Sequence, residues 1–270
     1  IPGLNSGNGS IYLNYCNTTV GNATPTNSIG LGADGGFTDA FIESLETTAC
    51  RIGIQLVGNG APAVFDYKNG NMQIKHPVID AFGHVGIELL NCNKYGSVEI
   101  IGGYYGAGPG ASAAISIDNC KGQIRVNGGQ ALLPVEPNSC GVIAVDSNGV
   151  TIDGLICIEA GRSGVDASNV NNCVFKPIVK NYSTTSTTAM VRMLNTNSRN
   201  IIAPVGYGMT NAFPLGVQLS GTGNSFTEIN CSGIDPAAIV SGSANKLQIN
   251  GVQITTTGLS GNNLVSGVMA

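Results

Sequence analysis

The chain has 270 residues, of which 39 are glycine and only 10% are charged, and it carries a net charge of −4. Apolar content of 42% excludes a disordered polyelectrolyte. The absence of any Lys/Arg cluster argues against a nucleic-acid surface, and no apolar run approaches the roughly 20 residues that span a bilayer.

The N-terminal part, residues 1–50, reads as irregular first coils. Its start, Ile1-Pro2-Gly3, points to a processed product or a piece of a longer polypeptide. Ser10 to Leu13 alternate as a strand. Phe37 to Thr48 suggest a short helix with Thr38 as N-cap, placed to cover the open end of the core. From residue 51 to residue 255 the pattern is repetitive. Gly86 opens GIELLNCNKYGSVEIIGG, Ala114 opens AISIDNCKGQIRVNGG and Val142 opens VIAVDSNGVTIDGL: strand, Asn-containing turn, strand, Gly. Residues 256–270 form a polar tail.

Two ladders of apolar anchors recur about every 25 residues. The first runs through Val64, Ile87, Ile115, Ile143, Val165, Val191, Val217 and Ile239. The second runs through Met72, Val98, Ile124, Val150, Val174, Ile201, Phe226 and Leu247. One such unit cannot enclose its own apolar side chains, whereas stacked units share a continuous core. The fold class predicted is therefore all-β, a right-handed parallel β-helix of about eight or more coils. Like residues then lie over like, with Asn91 and Asn119 forming an amide ladder and Asn148 nearby. Cys16, Cys50, Cys92, Cys120, Cys140, Cys157, Cys173 and Cys231 include no C-x-x-C pair, so free, inward-facing thiols are expected.

Equal spacing of Ile87, Ile115 and Ile143 places Asp118 and Asp146 in one column, one rung apart. That is close to the separation of about 5 Å used by retaining glycosidases; turn capping is the competing role for both. Glu99 and Arg125 are expected as an outward-facing ion pair. The connections between coils alternate long, short, long, which predicts a notch holding Tyr104, Tyr105, Glu136, Glu159, Arg162 and Tyr182. Glu136 and Glu159 are the second candidate acid pair; Tyr104, Tyr105, Arg162 and Tyr182 are candidate substrate-binding residues. With no Trp, tyrosine would have to stack on sugar. His76 and His84 lack partners at suggestive spacing, and no metal or cofactor motif is present.

The unit Gly-Ile-x-Leu-x-x-Cys/Ser-x-x-x-x-Val-x-Ile-x-Gly resembles the repeat of the pectate-lyase-like β-helix superfamily. Its Ser/Thr/Asn/Gly-rich form is most similar to bacteriophage tailspike and capsule-depolymerase domains, over roughly residues 50 to 255. The resemblance implies a homotrimer on a virion, or an extracellular protein, that binds and cleaves a bacterial capsular or O-antigen polysaccharide without a cofactor. A non-enzymatic receptor-binding fibre domain and a secreted pectinase-like lyase or hydrolase remain as alternatives.

Overall fold

The computed structural model describes residues 10–13, 28–34, 40–58, 71–92, 96–133, 138–180, 189–195, 197, 199–207, 215–219, 227–229, 239–241, 246–249 and 252–255. Every element among them is a strand, and all but the first and last stack in parallel as a right-handed β-helix. Seven consecutive turns, beginning at Ile29, Ile52, Val85, Ala113, Cys140, Ser163 and Ala189, have all three sides. Further parallel strands extend the first two sheets beyond the last of them. The expected count of eight coils rested on two sides only, and the third side completes fewer of them.

Each turn runs along the first sheet (Val85–Leu90, for example), then the second (Ser97–Ile101), then the third (Tyr104–Ala107). In two turns the second and third sides are one strand bent at the corner, Val150–Ile158 and Val174–Lys180. Gly154 makes the first of these bends in the left-handed region, φ +70°. Ile54, Ile87, Ile115, Val142, Val165, Val191, Val217 and Ile239 are level in the first sheet. Inward residues such as Ile54, Ile87, Ile115 and Val126 have no exposed surface. Burying each is worth about 1.5–3 kcal/mol.

The Gly-Ile signature has a packing cause. A Cβ built on Gly53 would lie 2.4 Å from Cγ2 of Ile79, and one on Gly164 would lie 2.6 Å from Cγ2 of Val179. Both partners are core residues of the third sheet. Glycine therefore lets the third sheet close against the first.

Cysteine has a local role too. Cys120 Sγ donates to the carbonyl of Asp118 at 3.3 Å, and Cys173 Sγ to that of Asn171 at 3.2 Å. Ser147 Oγ makes the same bond, two residues back, at 2.6 Å. These side chains give a second donor to turn carbonyls that already accept a backbone N–H from the neighbouring coil, and so satisfy their own polar group beside the core. The six described cysteines are all free and buried; Cys16 and Cys231 lie outside the described residues.

Several sequence expectations need correction. No helix forms between Ala40 and Thr48. Two short strands, Ala40–Glu43 and Glu46–Thr48, pair in parallel with the next coil, so tertiary pairing overrides local propensity. Phe37 and Thr38 lie outside the described residues, as do Val64 and Phe226. The partner of Ile87 is Ile54, so the coil that holds Met72 takes its first strand from Ile52–Val57. Val252–Thr255 adds no further coil; it pairs antiparallel with Lys246–Ile249, as the Asn250-Gly251 dipeptide between them favours. At the other end Ser10–Leu13 pairs antiparallel with Ile29–Asp34.

Three anchors are displaced by one residue. Val142, not Ile143, is level with Ile115. Phe175 and Ile202 are the buried positions, with Val174 and Ile201 facing outward.

Candidate functional site

The displaced anchor removes the first acid pair. Asp118 is level with Leu90 and Val145, not with Asp146. Asp146 sits one residue further on, in the turn between the first and second sheets. Its neighbours there are Asn119 and Asn169, because Asn119 N–H donates to Val145 O and Asp146 N–H to Ser168 O. All members of this column have positive φ: Asn91 +55°, Asn119 +50°, Asp146 +48°, Asn169 +55° and Asn195 +61°. Asn and Asp tolerate that conformation better than other residues with a Cβ.

Side chains link the column vertically. Asn119 Nδ2 donates to Asn91 Oδ1 at 2.8 Å, and Asn169 Nδ2 to Asp146 Oδ1 at 2.8 Å. The Lys121 ammonium reaches the Asp146 carbonyl. Asn148 belongs to a separate pair, accepting from Asn172 Nδ2 at 2.8 Å. Asp146 is thus a member of a structural ladder.

The described notch residues, Tyr104, Tyr105, Glu159 and Arg162, do not form one cluster. Tyr105 is fully buried and its hydroxyl donates to Gly102 O at 3.0 Å; burial pushes its pKa up. It cannot stack on a ligand. Tyr104, the alternate residue, lies half-buried on the outer side of the third sheet, level with Val78 and Gln130. Glu159 and Arg162 are two coils further along. Glu136 and Tyr182 lie outside the described residues, so neither the second acid pair nor the notch rim is described.

Arg162 does enter a defined constellation. Its short loop seats on the preceding coil, with Gly161 N–H donating to Ser139 Oγ at 3.2 Å and Arg162 N–H to Ser139 O at 2.9 Å. Glu159 opens this loop with φ +55° and donates its N–H to Lys180 O at 2.9 Å. The Arg162 guanidinium is 2.5 Å from Asp166 Oδ2. Arg192, one rung on, donates from Nε to Asp166 Oδ1 at 3.1 Å and from Nη2 to Oδ2 at 2.7 Å. Asp166 is only 5% exposed. One carboxylate against two guanidiniums leaves the triad with one excess positive charge, and such planar forks match carboxylates and hydroxyl pairs.

The triad belongs to a polar column on the outer side of the first sheet: Gln55, Glu88, Ser116, Ile143, Asp166, Arg192 and Gln218. Gln55 Nε2 donates to Glu88 Oε2 at 2.6 Å. Glu88 is level with Ser116, and Asp118 lies two residues beyond Ser116 on the same side. Glu88 is thus a carboxylate diagonal to Asp118 on that side, one rung and two residues away. Sequence reasoning missed Glu88, Asp166 and Arg192. The signal was available, since Asp166 and Arg192 directly follow anchors Val165 and Val191.

Glu99 and Arg125 are level, as expected, yet no ion pair joins them. Glu99 accepts instead from Gln73 Nε2 at 3.1 Å and Asn127 Nδ2 at 3.0 Å, while Arg125 leans toward Gln123. His84 packs its Nδ1 3.2 Å from Ser112 Oγ. Burial draws its pKa below the ordinary 6.5; nearby Arg51 adds to this and Glu88 opposes it. His76 occupies a corner with φ +49°. Among the described residues no group of His, Cys, Asp or Glu is arranged to hold a metal ion.

No protein-family model, curated protein or solved structure matches the chain.

Proposed function

We propose that the chain is a polysaccharide-binding rod of the bacteriophage tailspike type, carried on a virion or otherwise extracellular. Its ligand in this reading is a bacterial capsular or O-antigen polysaccharide lying on the outer side of the first sheet. The observation that carries the reading is the Arg162–Asp166–Arg192 triad on that surface. The fold needs only small or apolar residues there, as Ser116 and Ile143 in the same column attest. A half-buried pair of guanidiniums fixed by a shared carboxylate is pre-organised, so a sugar ligand need not order it on binding.

Binding is favoured over cleavage because Asp146 does not share a column with Asp118 and is engaged by Asn169 in the turn ladder. The test is a panel of capsular and O-antigen polysaccharides, scored for binding and for shorter fragments. Arg162→Gln should weaken binding by about 10- to 100-fold, the scale of a lost charged hydrogen bond. Folding should survive, since Asp166 keeps both bonds to Arg192. Failure of the whole panel to bind, or unchanged affinity in Arg162→Gln, would overturn the proposal. Fragments that disappear in Glu88→Gln and Asp118→Asn would make the protein a hydrolase acting through that diagonal pair; unsaturated fragments would make it a lyase.

A further inference from the structure

The Arg162–Asp166–Arg192 triad presents donors and hides its acceptor. The Asp166 side chain is 6% exposed, against 29% for Arg162 and 21% for Arg192. Both carboxylate oxygens are occupied: Oδ1 accepts from Arg192 Nε, and Oδ2 accepts from Arg192 Nη2 and meets Arg162 Nη2. A guanidinium has N–H donors and no acceptor. Among the described residues Arg192 Nη1 has no partner, and Arg162 Nε is buried without one. What reaches the surface here is therefore N–H alone.

The charge is equally one-sided. Among the described residues both arginines form ion pairs with Asp166 only; Glu159, which opens the Arg162 loop, pairs with neither. Ile143, level with Asp166, and Gln218, level with Arg192, are uncharged. Asp118 stands two strands back from the strand of Asp166, and Glu88 three. At about 4.8 Å per strand these acids are about 10 Å or more away. That exceeds the screening length of about 8 Å at physiological ionic strength. The excess positive charge of the triad is left for a ligand to cancel.

We propose that the ligand group seated on the triad is a singly charged oxyanion, so that the polysaccharide recognised here is an acidic one. This rests on the polysaccharide-binding reading above and names the class of polymer. A sugar carboxylate and a phosphodiester between sugars share the chemistry, since each brings one negative charge and two acceptor oxygens to forked N–H groups. A neutral sugar fits worse. Its hydroxyls must donate as well as accept, and the one carboxylate beneath the arginines is already saturated. Covering an uncompensated guanidinium with neutral sugar also strips its water without replacing the charge. Glu88 and Asp118 make the other end of the same face acidic, so an anionic residue is held at the arginines and turned away from that end. Attraction at one end and repulsion at the other fix where the polymer sits along the rod.

Calorimetry with the whole chain tests this on four sets of capsular and O-antigen polysaccharides: polymers with uronic acids, the same polymers after reduction of their carboxyl groups to alcohols, phosphodiester-linked polymers, and neutral polymers. Gln218→Glu adds one negative charge beside Arg192 with almost no change of shape, and Gln218→Met is its uncharged control. Ile143→Glu cancels the charge from the other side, level with Asp166. Binding should be confined to charged polymers and should weaken as salt is raised. Gln218→Glu and Ile143→Glu should each weaken it at least about tenfold, and Gln218→Met should stay within about threefold of the wild type. Circular dichroism should show the wild-type strand signal for all three variants. Loss of binding on carboxyl reduction would assign the oxyanion to a carboxylate; binding of the phosphodiester set alone would assign it to phosphate. A neutral or carboxyl-reduced polymer bound as tightly as the charged ones, or Gln218→Glu no weaker than Gln218→Met, would overturn this inference and leave the polysaccharide reading in place. Failure of all four sets to bind would overturn both.

Discussion

Asp146 occupies a column otherwise made of asparagines, and Asp146→Asn should stabilise the protein. An aspartate there accepts from Asn169 but has no donor for the coil below, and no bond joins it to Asn119. Asparagine keeps the acceptor and adds an Nδ2 donor facing Asn119 Oδ1. The ladder would then run unbroken from Asn91 through Asn119 and position 146 to Asn169. An exposed amide–amide bond is worth the low end of about 0.5–1.5 kcal/mol, and Asn suits positive φ. The loss of the attraction between the carboxylate and the Lys121 ammonium, which reaches the Asp146 carbonyl, offsets at most a few tenths of a kcal/mol at an exposed site. The net gain should be about 0.2–0.5 kcal/mol, a rise in melting temperature of roughly 0.5–2 °C for a chain of this size. Urea unfolding followed by circular dichroism measures it directly. Asp146→Ala is the control, since it loses the Asn169 bond and retains a strained φ; it should cost about 1–2 kcal/mol. If Asp146→Asn were less stable than the wild type, the ladder account would be wrong. The same variant also separates structure from catalysis, because a catalytic Asp146 would lose at least about a hundredfold in turnover.

Gly53→Ala should destabilise the fold by about 1–3 kcal/mol, the usual cost of overpacking, because the new methyl meets Ile79 Cγ2 at 2.4 Å and Gly86 O at 2.7 Å; a shifted denaturation midpoint is the measurement. His84 supplies a pH dependence. Its folded pKa lies below the ordinary 6.5, chiefly through burial, so the unfolded chain binds the proton more readily. The stability it contributes is complete above pH 6.5 and is lost as pH falls toward the depressed folded value. The urea midpoint should therefore fall between about pH 7.5 and pH 5, and His84→Gln should flatten that part of the profile.

The period was legible because stacking repeats it: each coil needs a glycine where the third sheet closes in, an apolar inward set and a turn residue that accepts positive φ. Register was less legible, for a reason visible at each slip. Val142 and Ile143, Val174 and Phe175, and Ile201 and Ile202 are adjacent apolar pairs. Alternation tells inside from outside only when one neighbour is polar, and a one-residue slip exchanges every side chain between faces. At Ile143 the slip was enough to turn a ladder residue into an apparent catalytic partner of Asp118. The long connection before Met72 hid the true partner of Ile87 in the same way, since Val64 has the right composition at nearly the right distance. Where the alternation was clean the column rule worked. Val165-Asp166-Ala167 and Val191-Arg192-Met193 each place one charged residue between two inward ones, and Asp166 and Arg192 are level and doubly hydrogen-bonded. A charged residue flanked by two core positions fixes register at the same time as it creates a site. The Asp166–Arg192 pair is therefore a sounder starting point for function than any pair inferred from equal spacing alone.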